Sequence, residues 1–274
     1  MHGRDVTGRG LRRLLPAHFD IDYLTAVGRD STSDQMIEFM RVSGLGTDHI
    51  QRRADLAVGL YVIQLDQGER SFAYWREQSA ARTLARDIGV LERALKDADV
   101  VYFSGITIAI LSQEDRRNLL QTLGAFRTQG GMVVFDPNLR PQLWTCAQEM
   151  TDIITQAAAV STTVLPSHAD EAEWFGDRDS EATAARYVSH GVLNVIVKDG
   201  AKPILGGVGA ETSWHKPEIV EHPHDTTAAG DSFNAGYLAA TLEGKSVAQA
   251  IRAGASLAAH VIRSPGALVE VLKA

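Results

Sequence analysis

Asp225-Thr226-Thr227-Ala228-Ala229-Gly230-Asp231-Ser232-Phe233 reads as the opening of a helix whose first turn is kept bare. Ala228, Ala229 and Gly230 put no bulk over the first-turn backbone amides, so those N–H groups can point at an anion at the positive end of the helix dipole. Asp231 follows the amide cluster directly and would hold its carboxylate beside a transferring phosphoryl group, close enough to take a proton from an attacking hydroxyl. The stretch also reads as an N-cap, Asp225, followed by small packing residues. Two aspartates bracketing a small-residue turn favour the phosphate reading.

Outward from this helix, β-rich runs at 21–27, 100–104, 132–136, 160–165 and 193–198 alternate with helical stretches such as 33–42, 113–129 and 181–190. Near-continuous apolar strands separated by helices imply a parallel sheet covered on both faces, with ligands at the carboxyl ends of its strands. One segment breaks the alternation. Runs 58–65 and 70–76, joined by Asp66-Gln67-Gly68-Glu69, suit an antiparallel hairpin with Phe72, Tyr74 and Arg76 on one face.

Composition narrows the function. A chain of 274 residues with 45% hydrophobic content can bury a full core, and a net charge of −7 argues against nucleic acid or an anionic membrane as the main partner. An anionic substrate would therefore need local arginines. Arg140, between Pro137-Asn138-Leu139 and Pro141 at a strand's carboxyl end, is placed for two-pronged recognition of a carboxylate, although a solvated surface arginine fits the same position. Cys146 is the only cysteine, which leaves no intrachain disulfide and suggests a reducing cytoplasm. No apolar run approaches the roughly 20 residues that span a bilayer.

The segment 225–233 resembles the signature of the ribokinase-like (PfkB) sugar kinases, and its Thr-Ala-Ala-Gly-Asp-Ser-Phe form is most similar to the 2-keto-3-deoxygluconate (KDG) kinase branch. The commoner family form has Gly where Ala228 stands. The Phe-Asp-Pro-Asn-Leu-Arg-Pro stretch at 135–141 is similar to a loop of the same family. The resemblance implies a three-layer α/β/α sandwich with a mainly parallel central sheet, one domain over 1–274, and a small β-lid at about 57–76 that serves as a dimer contact.

By the same resemblance, Asp231 is the catalytic base, and Tyr61, Tyr74, Arg76 and Arg140 contact a sugar acid. Asn138, Lys198, Asp199, Gly200, Ala228, Ala229 and Gly230 belong to the ATP and phosphate site. Glu171 organises magnesium through water, with His168 standing where the family usually has Asn. The implied cofactors are ATP, magnesium and a monovalent cation. The implied activity is phosphorylation of the terminal hydroxyl of 2-dehydro-3-deoxy-D-gluconate. A neutral-sugar kinase, or a catalytically weak binding protein of the same fold, stays open as an alternative. The family's first strand and Gly-Gly-x-x-x-Asn segment are expected before Leu14-Leu15-Pro16, where Met1 to Gly10 offers only a glycine- and arginine-rich start, so an amino-terminally short form is expected.

Overall fold

The computed structural model describes residues 6–66, 69–75, 77–208 and 211–266. In chain order its elements are α1 (Val6–Leu14), β1 (Thr25–Val27), α2 (Ser31–Val42), β2 (Ile50–Arg52), β3 (Leu60–Asp66), β4 (Glu69–Trp75), α3 (Ile88–Leu95), β5 (Val100–Ser104), α4 (Gly105–Ala109) and α5 (Gln113–Thr128). There follow β6 (Met132–Asp136), α6 (Ala147–Ala159), β7 (Thr163–Val164), α7 (His168–Phe175), α8 (Ser180–Ser189), β8 (Asn194–Val197), β9 (Ile204–Val208), β10 (Glu211–His215), α9 (Ala229–Leu242) and α10 (Val247–Val261).

The central sheet runs β10-β9-β8-β7-β6-β5. Its β5 to β8 portion is parallel, and β9 and β10 add antiparallel strands at one edge. The two-residue period of a strand sorts the core into two layers. Val133 and Phe135 of β6, with Val195 and Val197 of β8, face a cluster built with α3, α5, α6 and α8. The alternate residues Val134 and Ile196 face the opposite cluster, where Leu11 and Leu15 meet residues of α9 and α10. The expected α/β/α sandwich is thus present, with α1, α9 and α10 as one outer layer. That register has a functional consequence: positions 102, 136 and 198, in phase with 134 and 196, are turned toward α9.

Two expected strands are shorter than their apolar runs. The run 160–165 yields only Thr163–Val164, because Val160 caps α6 and the Ser161 N–H is drawn back to the Ala158 carbonyl. In 21–27, regular pairing is confined to Thr25–Val27, which pair with Ile50–Arg52 in a separate two-stranded sheet. The hairpin is as expected, β3 and β4 pairing antiparallel from Leu60↔Trp75 to Asp66↔Glu69. Gly244-Lys245-Ser246 is a helix stop and restart, Gly244 turning at φ 76° and Ser246 closing a capping box on α10.

Helices α9 and α10 approach almost backbone to backbone. A Cβ on Gly236 would lie 2.8 Å from the Ala253 carbonyl oxygen, and one on Gly254 2.7 Å from that of Phe233, so both positions require glycine for this packing. Among the described residues no helix is long and apolar enough to cross a membrane.

Candidate active site

The sequence 225–233 opens α9 by a left-handed residue. Asp225 accepts hydrogen bonds from the N–H groups of Thr227 (2.9 Å) and Gly266 (3.0 Å), which pins the chain ahead of the helix. Ala228 then adopts φ 65°, ψ 13°, a conformation that costs an alanine about 1–2 kcal/mol. The Ala229 N–H is taken by the Thr226 carbonyl at 3.2 Å. The amides of Gly230 and Asp231 have no acceptor among the described residues, and they leave a corner of free donors at the positive end of α9. Lys198 stands beside them: a Cβ on Gly230 would meet its Nζ at 3.9 Å.

Behind this corner lies a connected polar network. Asn234, buried on α9, donates to Asp136 Oδ2 (2.8 Å) and to the Tyr102 hydroxyl (3.2 Å), and accepts from Lys198 Nζ (3.0 Å). Lys198 Nζ is also 3.9 Å from Asp136 Oδ1. The Thr7 hydroxyl of α1 donates to Asp231 Oδ1 at 3.3 Å. Burial first, and then the neighbouring Asp136, push the Asp231 carboxyl up to about 6, against the opposing pull of Lys198, Thr7 and Arg140. A carboxylate so tuned is still ionised at neutral pH and more basic than a free one, as a general base requires.

The loop after β6 supplies the rim. Pro137 is buried, Asn138 turns left-handed at φ 36°, and Arg140 is exposed, its guanidinium donating to the Leu139 carbonyl at 2.7 Å. Gly105 permits this path, since a Cβ there would come within 1.8 Å of the Pro137 carbonyl oxygen. Arg140 is close enough to act on both Asp231 and Asp170. A cationic rim, two bare amides, an ammonium and a tuned carboxylate together suit transfer of a phosphoryl group to a hydroxyl.

A family model described as pfkB family carbohydrate kinase matches residues 8–273. The chain belongs to that family. This carbohydrate kinase is 38% identical over 264 residues to the 2-dehydro-3-deoxygluconokinase of Dickeya dadantii (strain 3937), covering 94% of this chain and 85% of the relative. It is 37% identical, with the same coverage, to the 2-dehydro-3-deoxygluconokinase of Escherichia coli (strain K12). Among solved structures it resembles a PfkB protein from Polaromonas sp. JS666, with a TM-score of 0.83 at 27% identity over 92% of this chain and 82% of that one. The fold is shared with the 2-dehydro-3-deoxygluconokinase of Thermotoga maritima, with a TM-score of 0.80 at 20% identity over 98% and 86% of the two chains.

In this kinase the structure gathers Asp231, Gly230, Lys198 and Arg140 around one corner. Ala228 shapes the corner through its φ, while Ala229 spends its amide internally. Asn138 turns the rim loop. Asp199 is engaged with Lys202 at 3.1 Å, and Gly200 makes the strand-end turn at φ 56°. Tyr61 and Tyr74 are direct cross-strand partners in the hairpin, and Arg76 lies outside the described residues.

Glu171 is the correction. It is fully buried, accepts from Arg186 Nη2 (2.6 Å) and the Tyr187 hydroxyl (3.0 Å), and is turned into the α7–α8 packing. One residue is about 100° of helical turn. The carboxylate of α7 that senses the corner is Asp170, pushed up by burial and by Asp136 while Arg140 and Lys198 draw it down. Sequence reasoning missed Asp170, Asn234, Tyr102 and Thr7. The strand period carried the signal for Tyr102, and the spacing Thr7, Leu11, Leu15 (i, i+4, i+8) carried that for a helix facing inward.

Proposed function

We propose that this chain is an ATP-dependent sugar-acid kinase that phosphorylates the terminal hydroxyl of 2-dehydro-3-deoxy-D-gluconate. The observation that carries the reading is Asp231 itself, raised to about 6 and set next to the unpartnered amides of Gly230 and Asp231. The relatives at 38% and 37% identity support this substrate.

Asp231 takes the proton of the attacking hydroxyl as oxygen bonds to the γ-phosphorus and the bond to the ADP oxygen breaks. The Gly230 and Asp231 amides and Lys198 meet the charge that develops on the transferring group. Arg140 pairs with the substrate carboxylate, together with Tyr61, Tyr74 and Arg76 of the hairpin region. The turn at Asp199 and Gly200 borders the nucleotide.

The corner fits a phosphate, since two bare amides and an ammonium converge on it. Magnesium, when bound with the nucleotide, supplies neutralising charge to its phosphates. Magnesium at such sites is held mainly by phosphates and water, and Asp170, in the field of Arg140, Asp136 and Lys198, is the protein carboxylate that would assist. The described residues single out no shell for a monovalent cation, and no step here uses one.

Leu60 and Trp75, opposite each other in the hairpin, are 43% and 62% exposed. Pairing of two copies through this lid would cover them. A cytoplasmic setting accords with ATP as donor.

The test is ADP release by the purified protein with ATP and magnesium, comparing KDG with fructose and ribose. Turnover on KDG exceeding that on either neutral sugar by at least an order of magnitude is expected. Preference for a neutral sugar, or no turnover on any, would overturn the reading.

A further inference from the structure

We infer that Thr7 is a positioning residue for the base: its hydroxyl, carried in by α1, holds the Asp231 carboxylate beside the bare amides and makes the docking of α1 a condition of phosphoryl transfer. This rests on the reading of Asp231 as base.

Thr7 is 4% exposed, and a buried hydroxyl costs free energy unless it is hydrogen-bonded. Its partners are the Asp231 side chain, Oδ1 at 3.3 Å, and the Asp231 carbonyl at 3.4 Å. Thr7 also lies beside the Tyr102 hydroxyl, whose pKa it draws down against the rise that burial imposes. Asn234 donates one Nδ2 hydrogen to the Tyr102 hydroxyl and the other to Asp136, which ties Tyr102 and α9 into the same network. The Asp231 carboxylate thus lies in the field of groups from five segments: Thr7 of α1, Tyr102 of β5, Asp136 of β6, Arg140 of the following loop and Lys198 after β8. Of these groups Thr7 is the one that donates a hydrogen bond to the carboxylate oxygen itself. It does not exchange its proton in the reaction; it fixes which oxygen of Asp231 is left to receive the proton of the substrate.

A second feature makes the reach possible. One helical turn farther along both helices, Gly10 meets Ala235, where a Cβ on Gly10 would stand 2.8 Å from that of Ala235. The missing side chain lets α1 lie against α9 closely enough for a threonine hydroxyl, a short group, to touch Asp231. Gly10, a poor helix former, is thus explained by its contact with α9.

The experiment compares Thr7→Val, Thr7→Ser, Gly10→Ala and Asp231→Asn with the parent, each checked by thermal melting, in steady-state assays with KDG and ATP-magnesium from pH 5 to 9. Thr7→Val keeps shape and deletes the hydroxyl. It should lower kcat about 10-fold, the loss of one charge-assisted hydrogen bond, and move the acid limb of the profile upward by up to about one pH unit, with KM for ATP unchanged. Thr7→Ser should restore both. Gly10→Ala should lower kcat in the parent and have little further effect on Thr7→Val, because the two changes remove the same contact. Should Thr7→Val fail to fold, Thr7→Ala carries the same expectations. Parental kcat and pH profile in Thr7→Val, or failure of Thr7→Ser to restore them, overturns the role of Thr7 while an inactive Asp231→Asn leaves the base in place. Undiminished turnover in Asp231→Asn overturns the base reading itself.

Discussion

Glu171 Oε2 and Arg186 Nη2 meet at 2.6 Å inside the α7–α8 packing, whereas the preceding residue, Asp170, lies in the field of Arg140, Asp136 and Lys198. Arg186 also pairs with Asp177 at 2.7 Å and lies over the ring of Phe175. Two adjacent carboxylates on one helix therefore face different surroundings, one paired in the core and one in the field of Arg140, Asp136 and Lys198.

Glu171→Ala should be a stability variant. It leaves Arg186 short of a buried counter-charge, a change that typically costs about 3–5 kcal/mol, with Asp177 retaining part of the compensation. Asp170→Asn should leave the melting temperature nearly unchanged and raise the magnesium concentration needed for half-maximal activity several-fold. Thermal melts and magnesium titrations on both variants check this. A magnesium defect in Glu171→Ala with parental stability would reverse the assignment.

The difference between those carboxylates marks where the sequence ceases to be legible. Apolar runs and their alternation were enough for the parallel sheet and the hairpin, because each is a local pattern; the small residues before α9 pointed to an open first turn, but the Ala229 amide is taken by Thr226 and the free amides are those of Gly230 and Asp231. A carboxylate's facing depends on where a helix begins, and α7 begins at His168, a one-residue matter that motif spacing does not resolve. Asn234 gave no sign because it lies inside an otherwise apolar helix, and its partners, Asp136, Tyr102 and Lys198, come from three other segments. Thr7 was hidden by composition: Gly8 and Gly10 make residues 6–14 look like poor helix, and only contact with α9 overrides that preference.

Asp231 links activity to pH in one direction and stability in the other. With the carboxyl at about 6, kcat/KM for the sugar acid should rise as pH increases through that value and level off above pH 7. The folded-state value lies above the unfolded 3.8, so the folded protein holds the proton more tightly, and stability from this group falls as pH rises from about 4 to about 6. Asp231→Asn removes the buried charge. It should therefore melt higher than the parent at pH 8 and about equally at pH 4, while turnover falls roughly 10²- to 10⁴-fold. Equal melting temperatures at both pH values would mean that the carboxylate is not destabilised in the fold.

Arg140 should separate a sugar acid from a neutral sugar. It is exposed on a loop stiffened by Pro137 and Pro141, so Arg140→Ala removes charge with little loss of core packing. A charge-assisted contact contributes about 1.5–3 kcal/mol, which predicts a KM for KDG raised by at least 10-fold with the KM for ATP unaltered. Binding of the corresponding neutral polyol should barely change. Equal weakening of both ligands, measured by calorimetric titration, would place the carboxylate elsewhere.

Ala228 offers a gain of stability at the site itself. Its φ of 65° costs an alanine about 1–2 kcal/mol and a glycine little, while the greater freedom of glycine in the unfolded chain takes back about 0.4–1 kcal/mol. Ala228→Gly should consequently melt at or slightly above the parent temperature and keep its kcat, since the amides of Gly230 and Asp231 stay where they are. Ala228→Val should do the opposite on both counts: a β-branched side chain resists this conformation, so the turn would relax toward negative φ, swing the first-turn amides of α9 away from the anion corner and lower stability and kcat together. Denaturant melts and turnover on the pair are the measurement. A clear loss of stability in Ala228→Gly would show that the turn before α9 is not left-handed at this residue.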